Sequence, residues 1–341
     1  MVHNTLRTDG SAQVHNASVL VTGGFGFIGA WFTTRLLGRG NRIVLLDNGD
    51  YENSTAAALG LADHADVSVS VGDICSADTF QALAGPFDYI VHAAGFLGIH
   101  KVVEHPISTL EINIMGTKRC LEFAAKQPSL QRLIIFSTSE VYGPQAVDAR
   151  ESHPAVVHAD SLRWGYAASK LAGEFLAMGY VEEFSVPAAV VRPFNVYGPY
   201  RRGTNAVTAL TDRALRGEPL VVSGDGEQRR SWCYITDFVD GIERLLLSPD
   251  GTGECVNLGN DRTDLSLLEL AQLIVERTDS TSTILVAGGN VPDVQERKPV
   301  LDKARSLLGY NPVVDMATGI AAVATARREE LERARAAIGA S

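Results

Sequence analysis

Residues 18–29 read SVLVTGGFGFIG, and this stretch decides the fold. Ser18–Thr22 is a short run of apolar and β-branched residues, the composition of a buried strand. Gly23, Gly26 and Gly29 follow in a G-x-x-G-x-x-G spacing, and residues 27–38 read as a helix behind them. Gly23 permits a tight turn, Gly26 lets the backbone approach a pyrophosphate, and Gly29 lets the helix pack on the strand. The first helical N–H groups, around Phe27 and Ile28, then meet an anion with the helix's partial positive charge behind them. The same glycines also serve a plain strand-to-helix connection, so their meaning depends on the rest of the chain.

Outward from that turn, strand and helix signals alternate. Strands are predicted at Arg42–Asp47, Val67–Val71, Tyr89–His92 and 133–137, with helical patterns between them, notably 109–125. Apolar strands separated by helices imply a parallel sheet covered on both faces. A long helix at 162–183 and a strand at 188–192 come next. Beyond Pro193 the pattern breaks into loops, short strands and helices at Ala206–Arg216, Ile235–Leu247 and Leu267–Thr278, and an Ala/Arg/Glu-rich helix closes the chain at 318–337. The expected fold class is α/β, a Rossmann-type doubly wound parallel sheet with a smaller mixed C-terminal substrate-binding region. Residues 1–17 read as a flexible tail and 18–193 as the dinucleotide-binding unit. Residues 194–341 read as a substrate-binding region interleaved with the sheet.

Chemistry-bearing residues fall where such a sheet presents them, at successive strand ends. Asp47 closes the second strand, where a carboxylate accepts hydrogen bonds from ribose hydroxyls; Asn48 follows it, and Asn48-Gly49-Asp50 also reads as a plain turn. The residues after Asp47 include no Arg or Lys to meet a 2′-phosphate, which favours NAD over NADP. Asp73 and Ile74 follow the third strand and face the adenine edge in this reading, and the small residues Ala93, Ala94 and Gly95 after the fourth leave room for a cofactor. Tyr166 and Lys170 stand four apart on a helix, hence on one face. A phenol titrates near about 10 in water and becomes a base at neutral pH only beside positive charge, which Lys170 and a nicotinamide both supply. Tyr166 then takes a proton from a sugar hydroxyl as hydride leaves. Thr138, Ser139 and Glu140 follow the fifth strand, and Thr138 is placed to share a hydrogen bond with that hydroxyl. An amphipathic helix with a buried Tyr and a snorkelling Lys is the bland alternative for Tyr166 and Lys170, and a cap or turn is the alternative for Thr138.

The 341 residues suffice for one large domain or two modest ones. A composition 45% hydrophobic and 21% charged is that of a soluble globular protein, and a net charge of −10 argues against nucleic acid or an anionic membrane as partner. A local arginine cluster still suits an anionic substrate, and Arg201, Arg202, Arg229 and Arg230 are candidates. Cys75, Cys120, Cys233 and Cys255 show no metal-ligand spacing, so no metal is expected, and four free thiols fit a reducing cytoplasm. Residues 1–17 carry no apolar core of signal-peptide length, and no run is long enough to span a bilayer.

The chain resembles the extended short-chain dehydrogenases/reductases, in the branch of nucleotide-sugar epimerases, dehydratases and decarboxylases. The resemblance rests on the glycine turn, His92 to Gly95, Asn113 with Gly116-Thr117, Ser137 to Gly143, Tyr166 with Lys170, and Arg192-Pro193-Phe194-Asn195 with Tyr197-Gly198-Pro199. It continues through Gly224 to Arg230, so that it spans 18–312. By position it implies Thr138, Tyr166 and Lys170 as the catalytic trio and Asn113 as part of the cofactor site. Asn195, Arg230 and Arg297 become the grip on a nucleotide-sugar diphosphate, with 220–223 passing the nucleobase. It also implies a homodimer through the helices at 109–125 and 162–183.

In that family hydride removal at C4 gives a 4-keto sugar, which acidifies the C5 proton and makes a C6 carboxylate labile. The dehydratases carry an Asp-Glu pair after the Thr, where this chain has Ser139-Glu140, which argues against simple elimination of water. Thr-Ser-Glu resembles the uronate decarboxylases, whereas the loop at 96–101 looks more like proteins grouped with the epimerases. The expected order is therefore epimerisation through a transient 4-keto sugar, then decarboxylation, then dehydration. Simple 4-epimerases usually have small or apolar residues at the places of Ser139 and Glu140, so Glu140 is surplus for them; it is a candidate proton shuttle at C5, giving 5-epimerisation, or a partner for a polar substituent, with a capping carboxylate as its inert alternative. An NAD-sensing module without chemistry is the alternative from another class.

Overall fold

The computed structural model describes residues 12–203, 205–288 and 294–339. In chain order the strands are β1 (Ser18–Thr22), β2 (Arg42–Asp47), β3 (Val67–Val71), β4 (Tyr89–His92), β5 (Arg132–Phe136), β6 (Gln145–Ala149), β7 (Ala188–Pro193), β8 (Val196–Tyr197), β9 (Leu220–Val222), β10 (Arg229–Ser231), β11 (Cys233–Tyr234), β12 (Cys255–Leu258), β13 (Asp264–Ser266), β14 (Ile284–Val286) and β15 (Glu296–Pro299). The helices are α1 (Phe27–Leu36), α2 (Thr55–Ala58), α3 (Ala77–Gln81), α4 (Ile99–Glu104), α5 (Pro106–Ala124), α6 (Gly165–Phe184), α7 (Ala206–Arg216), α8 (Ile235–Leu247), α9 (Leu267–Thr278), α10 (Asp302–Leu308) and α11 (Met316–Gly339).

Seven strands pair in parallel in the order β12-β7-β5-β4-β1-β2-β3. The chain runs from β1 out to β3 and then returns to β4 on the other side of β1. That reversal opens a crevice at the carboxyl ends of β1 and β4, the place where open α/β sheets bind ligands. The strands hold together because their side chains alternate between two cores. Val19, Val21, Ile43, Leu45, Ile134, Phe136, Ala189 and Val191 enter one, and Leu20, Val44, Leu46, Leu133, Ile135, Ala188 and Val190 enter the other. Edge strand β3 reads VSVSV and is only partly covered, with Val71 70% exposed.

Several boundaries differ from expectation for local reasons. Helix α1 ends at Leu36, two residues early, because Gly38 takes a φ of +72°. Pro106 starts α5 three residues before the predicted position, with proline in the first turn, where its missing N–H is harmless. A 3-10 turn at Leu162–Trp164 precedes α6, so the predicted helix starts at Gly165. The C-terminal half contributes β12 to the main sheet, and the N-terminal half contributes β6 to a second sheet ordered β13-β10-β15-β6. Of the expected tail 1–17, residues 1–11 lie outside the described residues; Val14 and Ala17 are buried. No helix among the described residues is long and apolar enough to cross a membrane, and they contain no group of three or more metal-ligating side chains.

Candidate active site

The glycine turn is built as the spacing requires. Gly23 N and Gly24 N both donate to Leu46 O, at 2.8 and 3.2 Å, which ties the turn to β2. Gly23 has φ +70°, and a Cβ on it would lie 2.6 Å from Ala94 N, so Gly23 and the Ala93-Ala94 strand end pack back to back. A Cβ on Gly29 would collide with Gly23 O. Gly26 caps α1 without any side-chain hydrogen bond, so no side chain competes for the first-turn donors around Phe27 and Ile28. At the end of β2, Asp47 accepts from Phe25 N at 3.1 Å and from Gly49 N at 3.0 Å, and each carboxylate oxygen retains a lone pair for a hydroxyl. Asn48 beside it is exposed. These features fit a dinucleotide: room for backbone only, free N–H groups, and an acceptor at the ribose position. Asp73 is exposed and closes a turn onto Cys75 N at 2.9 Å, while Ile74 is buried against Gly116.

The amide of Asn113 is occupied by the protein itself. Its Oδ1 accepts from Phe96 N at 2.7 Å, and its Nδ2 donates to Phe96 O at 3.1 Å and to Ser169 Oγ at 2.9 Å. Asn113 thus fastens the loop after β4 to α6, one residue from Lys170. Gly95 lies on this junction, since a Cβ there would come within 3.0 Å of Asn113 Oδ1 and 3.1 Å of Lys170 Nζ. Burial lowers the Lys170 ammonium to about 8. His92 is buried between Thr22 Oγ1 at 2.7 Å and Thr117 Oγ1 at 3.4 Å. Burial first, and then the Lys170 charge, push it down to about 3, so it is neutral.

Thr138 caps the 3-10 turn Ser139–Tyr142, its Oγ1 accepting from Glu140 N at 3.2 Å, and it is hydrogen-bonded to Tyr166. Burial first, and then the Glu140 carboxylate, hold the Tyr166 phenol above its ordinary range, and the Thr138 hydrogen bond and the Arg201 charge offset this only in part, so the expected lowering of the phenol is not seen in the protein alone. Ser139 is buried at the start of the turn. Glu140 lies between two guanidinium groups, 3.7 Å from Arg163 Nη1 and 3.5 Å from Arg297 Nη1. Arg163 also stacks on Trp164 with its Cζ 4.4 Å from the ring centre. Behind the turn, Ser137 Oγ donates to Glu174, which forms a two-pronged ion pair with Arg192 at 2.8 and 2.6 Å.

The expected diphosphate grip is only partly assembled. Arg230 and Arg297 are register partners on β10 and β15. Arg297 reaches Glu140, while the Arg230 guanidinium donates to backbone carbonyls, Arg229 O at 2.7 Å and Val294 O at 2.9 Å. Asn195 takes φ +37° and donates to Ser231 O at 3.1 Å. The four-arginine cluster does not form. Arg202 pairs with Glu330 at 3.0 Å, Arg229 with Asp264 at 2.9 Å, and Arg201 donates to Val196 O at 2.9 Å. Arg163 was not singled out from the sequence; it lies in the 3-10 turn that precedes α6, three residues ahead of Tyr166.

A glycine-turn dinucleotide crevice with Thr, Tyr and Lys at its rim defines an enzyme of the nicotinamide-dependent short-chain dehydrogenase kind. The chain belongs to the NAD dependent epimerase/dehydratase family, whose profile matches residues 19–259, and its cofactor is NAD. It is 30% identical over 311 residues to UDP-N-acetyl-alpha-D-glucosaminuronate decarboxylase of Bacillus cytotoxicus, covering 88% of this chain and 94% of that one. To UDP-glucuronic acid decarboxylase 1 of Xenopus tropicalis it is 31% identical over 317 residues, covering 92% and 73%. Its fold superposes on UDP-glucuronic acid 4-epimerase from Bacillus cereus, solved with UDP-glucuronic acid and NAD, with a TM-score of 0.82 and 26% identity over 92% of this chain and 99% of that one.

Proposed function

We propose that the protein binds a UDP-hexuronate, oxidises it transiently at C4, and releases the C6 carboxylate as CO2. One observation carries this reading: Glu140 stands by the phenol with the charges of Arg163 and Arg297 already directed at it. A 4-keto uronate is a β-keto acid and loses CO2 unless its carboxylate is held. An enzyme that only inverts C4 must hold that carboxylate in place with donors of its own. Here the nearby guanidinium charge is taken by Glu140, whose own charge disfavours an ionised substrate carboxylate and favours neutral CO2. Bound NAD supplies the hydride acceptor at C4 and returns the hydride afterwards, so no net oxidant is consumed. Tyr166, hydrogen-bonded to Thr138, takes the C4 hydroxyl proton and later gives it back. When the carbon–carbon bond breaks, the C5 carbanion takes its proton from a water that the Glu140 carboxylate is placed to orient, and the hydroxide left behind is neutralised by solvent. Asn195 and Arg230 line the diphosphate end, Arg230 after turning from its carbonyl partners, while Arg297 stays with Glu140.

The second reading, 4-epimerisation of the same substrate, draws support from the likeness to the Bacillus cereus epimerase. UDP-glucuronate incubated with the protein and followed by NMR separates the two. A UDP-pentose with CO2 supports decarboxylation, and UDP-galacturonate with the carboxylate intact overturns it. Glu140→Gln is expected to slow CO2 release about 100-fold while the transient nicotinamide absorbance still forms. Unchanged CO2 release in that variant refutes the role of Glu140.

We further propose that two copies associate through α5 and α6. Ile107 is 70% exposed, Phe175 73% and Phe184 58%, so these helices leave a large apolar face uncovered. Phe175→Glu is expected to convert a dimer into a monomer by sedimentation velocity; a dimer that persists excludes this face.

A further inference from the structure

Glu140 meets two guanidinium groups, one at each carboxylate oxygen. Its Oε1 lies 3.5 Å from Nη1 of Arg297, which is buried on β15 in register with Arg230 on one side and Ala146 of β6 on the other. Its Oε2 lies 3.7 Å from Nη1 of Arg163, which comes from the 3-10 turn ahead of α6. Both separations exceed the usual hydrogen-bond length of about 2.7–3.2 Å, so the carboxylate keeps lone pairs for a water. Coulomb attraction at such a distance has little angular preference, so the aim of the carboxylate depends on how firmly its cations are mounted. Arg163 has a mount. Its Cζ sits 4.4 Å from the ring centre of Trp164, at stacking distance. Trp164 is itself buried with Ala167 and Val294, Val157 packs on that cluster, and the His158 ring lies 5.7 Å from the indole. The segment carrying Val157 and His158 is laid across the turn that bears Glu140, since Val156 N donates to Val141 O at 2.9 Å. Gly143, at φ +75°, makes room for it, because a Cβ there would come within 2.8 Å of Val156 O. One packed cluster thus fixes Arg163 relative to the turn that carries its target.

We propose that Arg163, mounted on Trp164, is a positioning residue that fixes the Glu140 carboxylate in the orientation that directs a water at C5. Arg297 alone, at one oxygen, leaves the carboxylate free to turn; a second cation at the other oxygen stops that rotation. Arg163 acts through Glu140 and makes no contact with the sugar. The proposal rests on the role of Glu140 proposed above, but the position of the carboxylate can be read without any substrate.

Arg163→Met keeps an apolar chain over the indole and removes the charge. A crystal structure of that variant is expected to show the Glu140 carboxylate in another rotamer, with Arg297 and Tyr166 unmoved. With UDP-glucuronate the variant is expected to lose about tenfold in kcat while KM stays within about twofold of wild type. Arg163→Lys keeps a charge but not the planar stack, and it is expected to recover less than about half of the lost rate. Added to Glu140→Gln, Arg163→Met is expected to cost nothing further, because a residue that acts through Glu140 then has no route left. Circular dichroism establishes that each variant is folded, and Arg163→Gln replaces Arg163→Met if that variant is not. A Glu140 carboxylate that keeps its place in the neutral variant overturns the proposal. So does a full tenfold loss on top of Glu140→Gln, a raised KM at unchanged kcat, or an Arg163→Lys variant as fast as wild type. A displaced carboxylate in a protein that releases no CO2 from UDP-glucuronate sinks the decarboxylation reading and leaves the hold of Arg163 on Glu140 standing.

Discussion

Tyr166→Phe is expected to leave a folded protein that binds NAD normally and turns over nucleotide sugar at about one thousandth of the wild-type rate or less. The hydroxyl is the atom removed, and the rest of the ring stays on α6. What is lost is the acceptor for the C4 hydroxyl proton, without which hydride removal would leave a protonated carbonyl in a half-buried site. Thr138 does not replace it, because its Oγ1 already accepts from Glu140 N at 3.2 Å and an alcohol is a far weaker acid than a phenol. Lys170 does not replace it either, since its Nζ stands by Gly95 and Asn113 at the end of β4. NAD binding is spared because the glycine turn and Asp47 lie on β1, α1 and β2 and do not depend on the hydroxyl. The measurement is a pair: NAD affinity by fluorescence quenching, and product formation by NMR. Turnover within tenfold of wild type removes Tyr166 from the mechanism and the proposed chemistry with it.

The parts of this site that could be read in advance are those with short-range logic. The SVLVT strand, the glycine spacing and the Tyr166–Lys170 interval each lie within a few residues, and strand or helix geometry converts such intervals directly into positions in space. The partners of residues that meet from far along the chain were not legible. Asn113 was read for the cofactor site, but nothing in the sequence showed that its amide clasps Phe96 and Ser169, contacts that only the packing of α5 against α6 and the loop after β4 creates. Four arginines close in sequence, in two pairs, read as one anion-binding cluster. Acidic partners from β13 and α11 claimed two of them, and carbonyls claimed a third. Strand β6, reading QAVDA, shows no apolar run. It exists because Glu296–Pro299 lies beside it, 151 residues later in the chain and in register from Gln145↔Glu296. Glu140 was singled out by its place after Thr138, but its setting between Arg163 and Arg297 brings together residues from the turn before α6 and from β15. That setting moves decarboxylation ahead of epimerisation in the proposed function.

Glu174→Gln is expected to destabilise the fold by about 3–5 kcal/mol, more than any change on the rim of the site. Glu174 and Arg192 are both buried, and the guanidinium meets the carboxylate along two parallel hydrogen bonds of 2.8 and 2.6 Å. Ser137 Oγ supplies a further donor, and the Glu174 pair holds the Arg192 guanidinium well above its ordinary range. A glutamine keeps the shape but removes the charge, so Arg192 stays buried with a cation that nothing else neutralises. Its remaining partners are neutral. Nη1 donates to the Tyr142 hydroxyl at 2.8 Å, and that hydroxyl donates to Asn257 Oδ1 at 2.7 Å. Through Asn257 the chain of bonds reaches Ala149 O at 2.9 Å and so β6. The network therefore joins β7, α6, the 3-10 turn that carries Glu140, β12 and β6, and the loss spreads to the floor of the active site. Urea unfolding reads the effect as a lower midpoint at nearly constant slope. The double variant Glu174→Leu with Arg192→Leu is the control. Removing both charges together is expected to recover much of the loss, because an apolar pair needs no compensation, although Ser137 and Tyr142 then lose partners. A Glu174→Gln variant within about 1 kcal/mol of wild type would mean that water reaches Arg192 and that the pair is not the closed, dry contact described here.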